Sequence, residues 1–116
     1  MESEGNSKIR QKIRDFFAPK EEVIFVYLFG SVITKEIFRD IDIAIYMDSS
    51  PDLIRQGKLQ TAVDHLIEYK VDLVILNELP NKNPAFAHQI VTKGELLLNK
   101  NPTIHTEYKS NVLQYY

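Results

Sequence analysis

At 116 residues, 44% apolar and 26% charged, the chain has the make-up of one globular domain with a modest core. A net charge of −2 gives no general field for nucleic acid, so no direct nucleic-acid binding is expected. The absence of cysteine excludes disulfides, thiolate metal sites and cysteine nucleophiles and points to a reducing, cytoplasmic setting.

In chain order, residues 1–6 are expected to fray. Their polar, acidic character is unlike that of a signal peptide, and no apolar run reaches the ~18 residues of a membrane helix. Asn6 or Ser7 is placed to cap a helix reaching about Phe17, with Ile9, Ile13, Phe16 and Phe17 on one face. Pro19 ends it. Val23–Phe29 is almost continuously apolar, β-branched and aromatic, the pattern of a strand buried on both faces. Gly30 and Ser31 stop it, and residues 31–38 have room for one or two helical turns. Asp40 to Met47 reads as a second strand. Pro51 then suits the first turn of a helix running to about Tyr69, carried by Leu59, Ala62, Val63, Leu66 and Ile67. Gly57 weakens that helix by about 1 kcal/mol relative to Ala. Val71–Leu76 is a third strand, and residues 77–83 read as a polar loop. Asn83 can cap a helix with Pro84 at its first position, ending near Lys93 and Gly94. Glu95–Asn99 suits a short edge strand. A last helix spans about 103–115, with Ile104, Tyr108, Val112 and Tyr115 on one stripe. That stripe either packs on the domain's own core or forms a partner surface.

These elements describe an α/β (α+β) domain, with helices around a small mixed sheet. A long helix between the second and third strands permits a parallel, right-handed crossover. The short link after Gly30 favours an antiparallel first strand. That topology gathers Gly30, Ser31, Asp40, Asp42 and Asp72 at one end of the sheet. Asp40 and Asp42 share a strand face at about 6.6 Å. At an effective dielectric of about 20, each such pair repels by about 2.5 kcal/mol, which solvent reduces several-fold. An isolated Asp-x-Asp is ordinarily a solvated strand end. Three carboxylates gathered with a Gly-Ser turn instead call for a divalent cation. All-oxygen ligands select Mg²⁺ or Mn²⁺, and the adjacent turn suits a nucleoside triphosphate. His65 falls on a polar helix side, and His88 and His105 have no ligand spacing, so these histidines are expected to be structural or exposed.

Gly30-Ser31 followed by Asp40-x-Asp42, with Asp72 on a later strand, resembles the DNA polymerase beta-like nucleotidyltransferase superfamily. The segment Val71–Glu78, then Ile90-Val91-x-x-Gly94 and Leu96-Leu97-Leu98, is similar to the minimal nucleotidyltransferase (MNT) antitoxins paired with HEPN-domain toxins. The resemblance covers roughly residues 10–115 and implies a nucleotidyltransferase fold in a single domain. It implies that Asp40, Asp42 and Asp72 hold two Mg²⁺ ions and act as the catalytic residues, Asp72 as general base. It implies that Gly30 and Ser31 touch the phosphates of ATP. It further implies transfer of AMP from ATP to a tyrosine of a partner HEPN toxin, or neutralisation of that toxin by binding alone. Homo- or hetero-oligomers are compatible with it. Transfer to a small molecule or nucleic acid would need a second subunit. Two departures stand out. The link of residues 32–39 is shorter than is usual in the family, and Ile33-Thr34-Lys35 replaces the common Ala-Arg-Gly. The usual arginine is therefore missing, and Lys35 or Arg39 is either its electrostatic substitute, without the bidentate fork of the original, or simply solvated.

Overall fold

The computed structural model describes residues 4–34 and 40–115. Its strands are β1 (Val23–Phe29), β2 (Asp40–Met47), β3 (Lys70–Ile75) and β4 (Glu95–Asn99). Its helices are α1 (Glu4–Phe17), α2 (Ser31–Thr34), α3 (Leu53–Leu66), α4 (Leu79–Lys82), α5 (Pro84–Lys93) and α6 (Pro102–Tyr115). The sheet order is β3-β2-β1-β4. β1 is antiparallel to both β2 and β4, whereas β2 and β3 are parallel and joined through α3. This is the mixed α/β architecture that the sequence pattern leads one to expect.

Strand alternation divides the core between the two faces of the sheet. Val26, Leu28, Ile41, Ile43 and Ile45 point toward Ile9, Ile13 and Phe17 of α1 and Leu59 and Val63 of α3. Phe25, Tyr27 and Ala44 point the other way, toward Ala87, Ile90 and Val91 of α5 and Tyr108 and Val112 of α6. The stripe on α6 therefore belongs to the domain's own core. Tyr108 also donates from its hydroxyl to the Leu76 carbonyl at 2.7 Å. The side chain of Tyr115 lies outside the described residues.

Side chains secure both edge strands of the sheet. On β3, Gln60 of α3 donates to Val71 O at 2.7 Å and accepts from Leu73 N at 3.2 Å, occupying backbone groups that an open edge would expose. On β4, Arg10 of α1 grips Glu95 through Nε at 2.8 Å and a second nitrogen at 3.0 Å. This charged fork holds the Glu95 carboxyl below its ordinary value, the Arg10 hydrogen bond being the main cause. Asn77 both accepts from Met47 N at 3.0 Å and donates to Met47 O at 2.7 Å, lengthening the β2–β3 ladder by one side chain. Lys100 donates to Phe17 O and Lys20 O at 2.9 and 2.6 Å, completing carbonyls at the end of α1.

Several boundaries differ from those expected. α1 begins at Glu4, so Asn6 and Ser7 lie inside it instead of capping it; a cap preference is too weak to stop a helix that can go on hydrogen-bonding. α3 starts after Asp52, whose side chain accepts from Arg55 N at 2.8 Å, so Pro51 precedes the helix. It ends at Leu66, before Tyr69, because Ile67 turns extended and is buried. The loop expected at 77–83 contains the single turn α4, with Pro80 in a position that tolerates it. The Asn83 cap and Pro84 start of α5 are as expected, Asn83 accepting from Phe86 N.

Two predictions follow from this packing. A Cβ on Gly94 would meet Ile90 O at 2.5 Å and the Tyr27 ring at 3.2 Å. Gly94→Ala is therefore expected to destabilise the domain by about 1–3 kcal/mol, read as a lower urea midpoint with an unchanged slope. His105 Nε2 lies 2.6 Å from the Tyr27 hydroxyl. Burial, then the charge of Lys109, lowers the His105 pKa below 6.5. The unfolded chain thus takes up a proton that the folded chain resists, so stability falls as the pH drops through 6.5. His105→Gln should flatten that part of the stability–pH curve; an unchanged slope would contradict it.

Candidate active site

Strand direction assembles the site. β1 exits at Phe29, which pairs with Asp42 near the start of β2. The parallel register then sets Asp42 against Asp72, and Asp40 against Lys70. Gly30, Ser31, Asp40, Asp42 and Asp72 accordingly meet at one end of the sheet. Alternation places Asp40 and Asp42 on the face of Ala44 and Tyr46, the side covered by α5 and α6.

Gly30 is required here on two grounds. Its φ is +81°, the left-handed region, where other described residues do not go. A Cβ on it would also fall on the Asp42 carboxylate. The backbone of the turn therefore lies directly over Asp42. Ile33 N donates to Gly30 O at 3.2 Å and closes the turn into α2. Ser31 is the first residue of α2 and is half-buried.

The acids are not independent. Burial pushes the Asp42 carboxyl above its ordinary value, and the charge of Asp72, a hydrogen bond with Asp72 and the charge of Asp40 push it further. Lys70 opposes them. Asp72 thus stands close enough for its charge to disfavour the ionised form of Asp42. Among the described residues, no three acidic or histidine side chains close around one point as a metal cage. Asp40 adds its field from the first position of β2, while the contacting pair is Asp42 and Asp72. Two converging carboxylates are nevertheless what Mg²⁺ commonly takes from a protein, with phosphate oxygens and water completing its shell. The donor set is of a kind that fits Mg²⁺, which Asp42 and Asp72 would hold with Asp40 beside them.

Lys35 and Arg39, the expected substitutes for the missing arginine, lie outside the described residues. His65 is exposed and bonded to Thr61 O, whereas His105 is structural, held against Tyr27. The motif reading missed a hollow of about 230 Å³ on the α5 side, lined by Phe29, Gly30, Ile33, Gln89, Lys93 and Gly94. Its sequence signal was the strand at Glu95–Asn99. Only the pairing of that strand with β1, Leu28 opposite Glu95, shows that Lys93 ends beside Gly30.

Residues 11–103 match the family described as "Polymerase beta, Nucleotidyltransferase", and the chain belongs to that family. Solved structures share its fold. A chain of a toxin–antitoxin complex with AMP-PNP is 24% identical with a TM-score of 0.79, the match covering 92% of this chain and 86% of that one. A chain of the toxin–antitoxin complex MntA-HepT is 22% identical with a TM-score of 0.76, covering 95% and 86%. A chain of the complex between a tri-AMPylated Shewanella oneidensis HEPN toxin and an MNT antitoxin is 23% identical with a TM-score of 0.76, covering 96% and 86%. A search of curated proteins found no match.

The acidic pair has a measurable cost. Because the folded-state pKa of Asp42 is raised, ionising it at neutral pH works against folding, and that penalty is absent in acid, where it stays protonated. Asp72→Asn removes the neighbouring charge. In metal-free buffer it should raise the thermal midpoint by a few degrees at pH 7, and by much less at pH 3. A lower midpoint at pH 7 would contradict the repulsion.

Proposed function

We propose that this nucleotidyltransferase is a Mg²⁺-dependent adenylyltransferase that acts as an antitoxin in the cytoplasm, moving AMP from ATP onto a tyrosine of a HEPN-domain toxin. The observation that carries this reading is Asp42 lying directly under the Gly30 turn with Asp72 as its register partner. The fold neighbours support it: one is a toxin–antitoxin complex with AMP-PNP and another contains a tri-AMPylated HEPN toxin.

In this reading Gly30 and Ser31 would hold the triphosphate, and Asp42 and Asp72, with Asp40 beside them, would hold two Mg²⁺ ions. Magnesium held there would supply neutralisation of phosphate charge and a more acidic attacking hydroxyl. The tyrosine oxygen bonds to the α-phosphorus, the bond from that phosphorus to the bridging oxygen breaks, and pyrophosphate leaves. Asp72, exposed at the rim, receives the phenolic proton directly or through water. Lys35 supplies part of the charge that an arginine provides in related sequences.

The test mixes the protein with ATP, Mg²⁺ and the HEPN protein, and seeks AMP adducts by mass spectrometry. Asp42→Asn should lower adduct formation by about a hundredfold or more, equivalent to about 2.7 kcal/mol of barrier. No adduct with the unaltered protein, or an equal amount with Asp42→Asn, contradicts the reading. If the double variant Asp40→Asn/Asp42→Asn forms no adduct yet still protects cells, neutralisation by binding alone takes its place.

A further inference from the structure

We infer that Lys93, at the end of α5, is the cation that holds the triphosphate tail of the nucleotide at the Gly30 turn. The inference rests on the nucleotidyl-transfer reading above and assigns that site a residue from outside its motifs.

Three placements converge on Lys93. The first is along the strands. β4 runs antiparallel to β1 with Glu95 opposite Leu28, so the residues just before Glu95 lie beside those just after Leu28. Lys93 and Gly94 thereby come level with Phe29 and Gly30, at the end of the sheet where the carboxylates gather. The second is across the sheet. Asp42 shares the face of Ala44 and Tyr46, and that is the face on which Ala87, Ile90 and Val91 of α5 pack. Lys93 thus approaches from the acidic residues' own side. The third is the close fit at Gly94. Its amide donates to Ile90 O at 2.8 Å, and a Cβ there would press on Ile90 O, the Tyr27 ring and Leu28 O. The lack of a side chain lets the end of α5 sit directly on β1 and fixes the approach of Lys93.

The outcome is a hollow of about 230 Å³ with Gly30 on one wall, Gln89 and Lys93 on another, and Phe29 and Ile33 as its apolar lining. Lys93 is the one cation among these lining residues. A triphosphate carries several negative charges, and the acidic cluster beside the turn would repel it unless cations compensate. Magnesium held by Asp42 and Asp72 would serve the phosphates next to them. The far end of the tail, beyond the turn, needs a cation from the protein, and Lys93 stands where it lies. A lysine binds there as a point charge, without the planar fork of an arginine, which matches a chain lacking the arginine after its Gly-Ser turn.

The test measures Kd for ATP and for AMP, both with Mg²⁺, on the full chain and on Lys93→Ala, Lys93→Arg and the control Lys82→Ala. Lys93 is exposed, and retained folding is checked by thermal unfolding. ATP affinity should fall about tenfold in Lys93→Ala. AMP affinity should stay the same, Lys93→Arg should recover most of the ATP affinity, and Lys82→Ala should change neither. Inorganic triphosphate should compete with ATP less well on Lys93→Ala than on the unaltered chain. Unchanged ATP affinity in Lys93→Ala overturns the inference, as does an equal loss for ATP and AMP. If the folded, unaltered chain binds no ATP, the nucleotidyl-transfer reading itself falls; that result comes from the unaltered chain alone and is distinct from a failure of Lys93.

Discussion

Parallel pairing in strict register leaves two neighbouring strands no freedom to separate residues that face each other. β2 and β3 pair in this way, so Asp42 and Asp72 stand side by side whatever their charges prefer. The apolar residues behind them enforce the register. Ile41, Ile43 and Ile45 on β2, and Val71 on β3, are buried against α1 and α3, and a slip of one residue would turn them to the opposite face. Core packing thus stabilises an arrangement that electrostatics opposes. Burial first, and then the charge of Asp72, raise the pKa of Asp42, and the second cause is the mark of that conflict. Sites under such tension are where function is commonly found.

The rest of the fold serves this end of the sheet. The left-handed Gly30 turn brings backbone within contact of Asp42. α5 reaches the same place because β4 pairs with β1 and Gly94 permits close contact. α1, tied to β4 by the Arg10–Glu95 fork, secures the edge strand that delivers α5. On the other edge Gln60 fills the open hydrogen-bonding positions of β3, keeping Asp72 on a strand whose position is defined. α6 covers the face behind the site through Tyr108, Val112 and the Tyr27–His105 contact.

What the sequence made legible follows from what each signal measures. The strands Val23–Phe29 and Asp40–Met47 could be read from dense β-branched and aromatic runs, and Asn83-Pro84 from helix-start chemistry. Asp40, Asp42, Asp72 and Gly30 were legible because strand starts, alternation and a short link leave few topologies. The turn α4 was missed because one turn is too short to show a period and its Pro80 reads as a breaker. The start of α1 and both ends of α3 were displaced because local capping signals compete with tertiary burial, as Ile67 shows. The closeness of Lys93 to Gly30 was not legible. The two lie far apart in the chain, and only the β1–β4 pairing joins them. His105 was expected to be structural or exposed, but its bond to Tyr27 could not be inferred from spacing.

The central claim is that the Asp42–Asp72 pair is a strained carboxylate pair relieved by a divalent cation. The most direct measurement is an NMR titration of the Asp42 side-chain carboxyl carbon, with and without saturating Mg²⁺. The account predicts an apparent pKa above the ordinary aspartate range in metal-free buffer and a clear fall when Mg²⁺ is present. Identical titration curves under both conditions, or an ordinary pKa without metal, would contradict it.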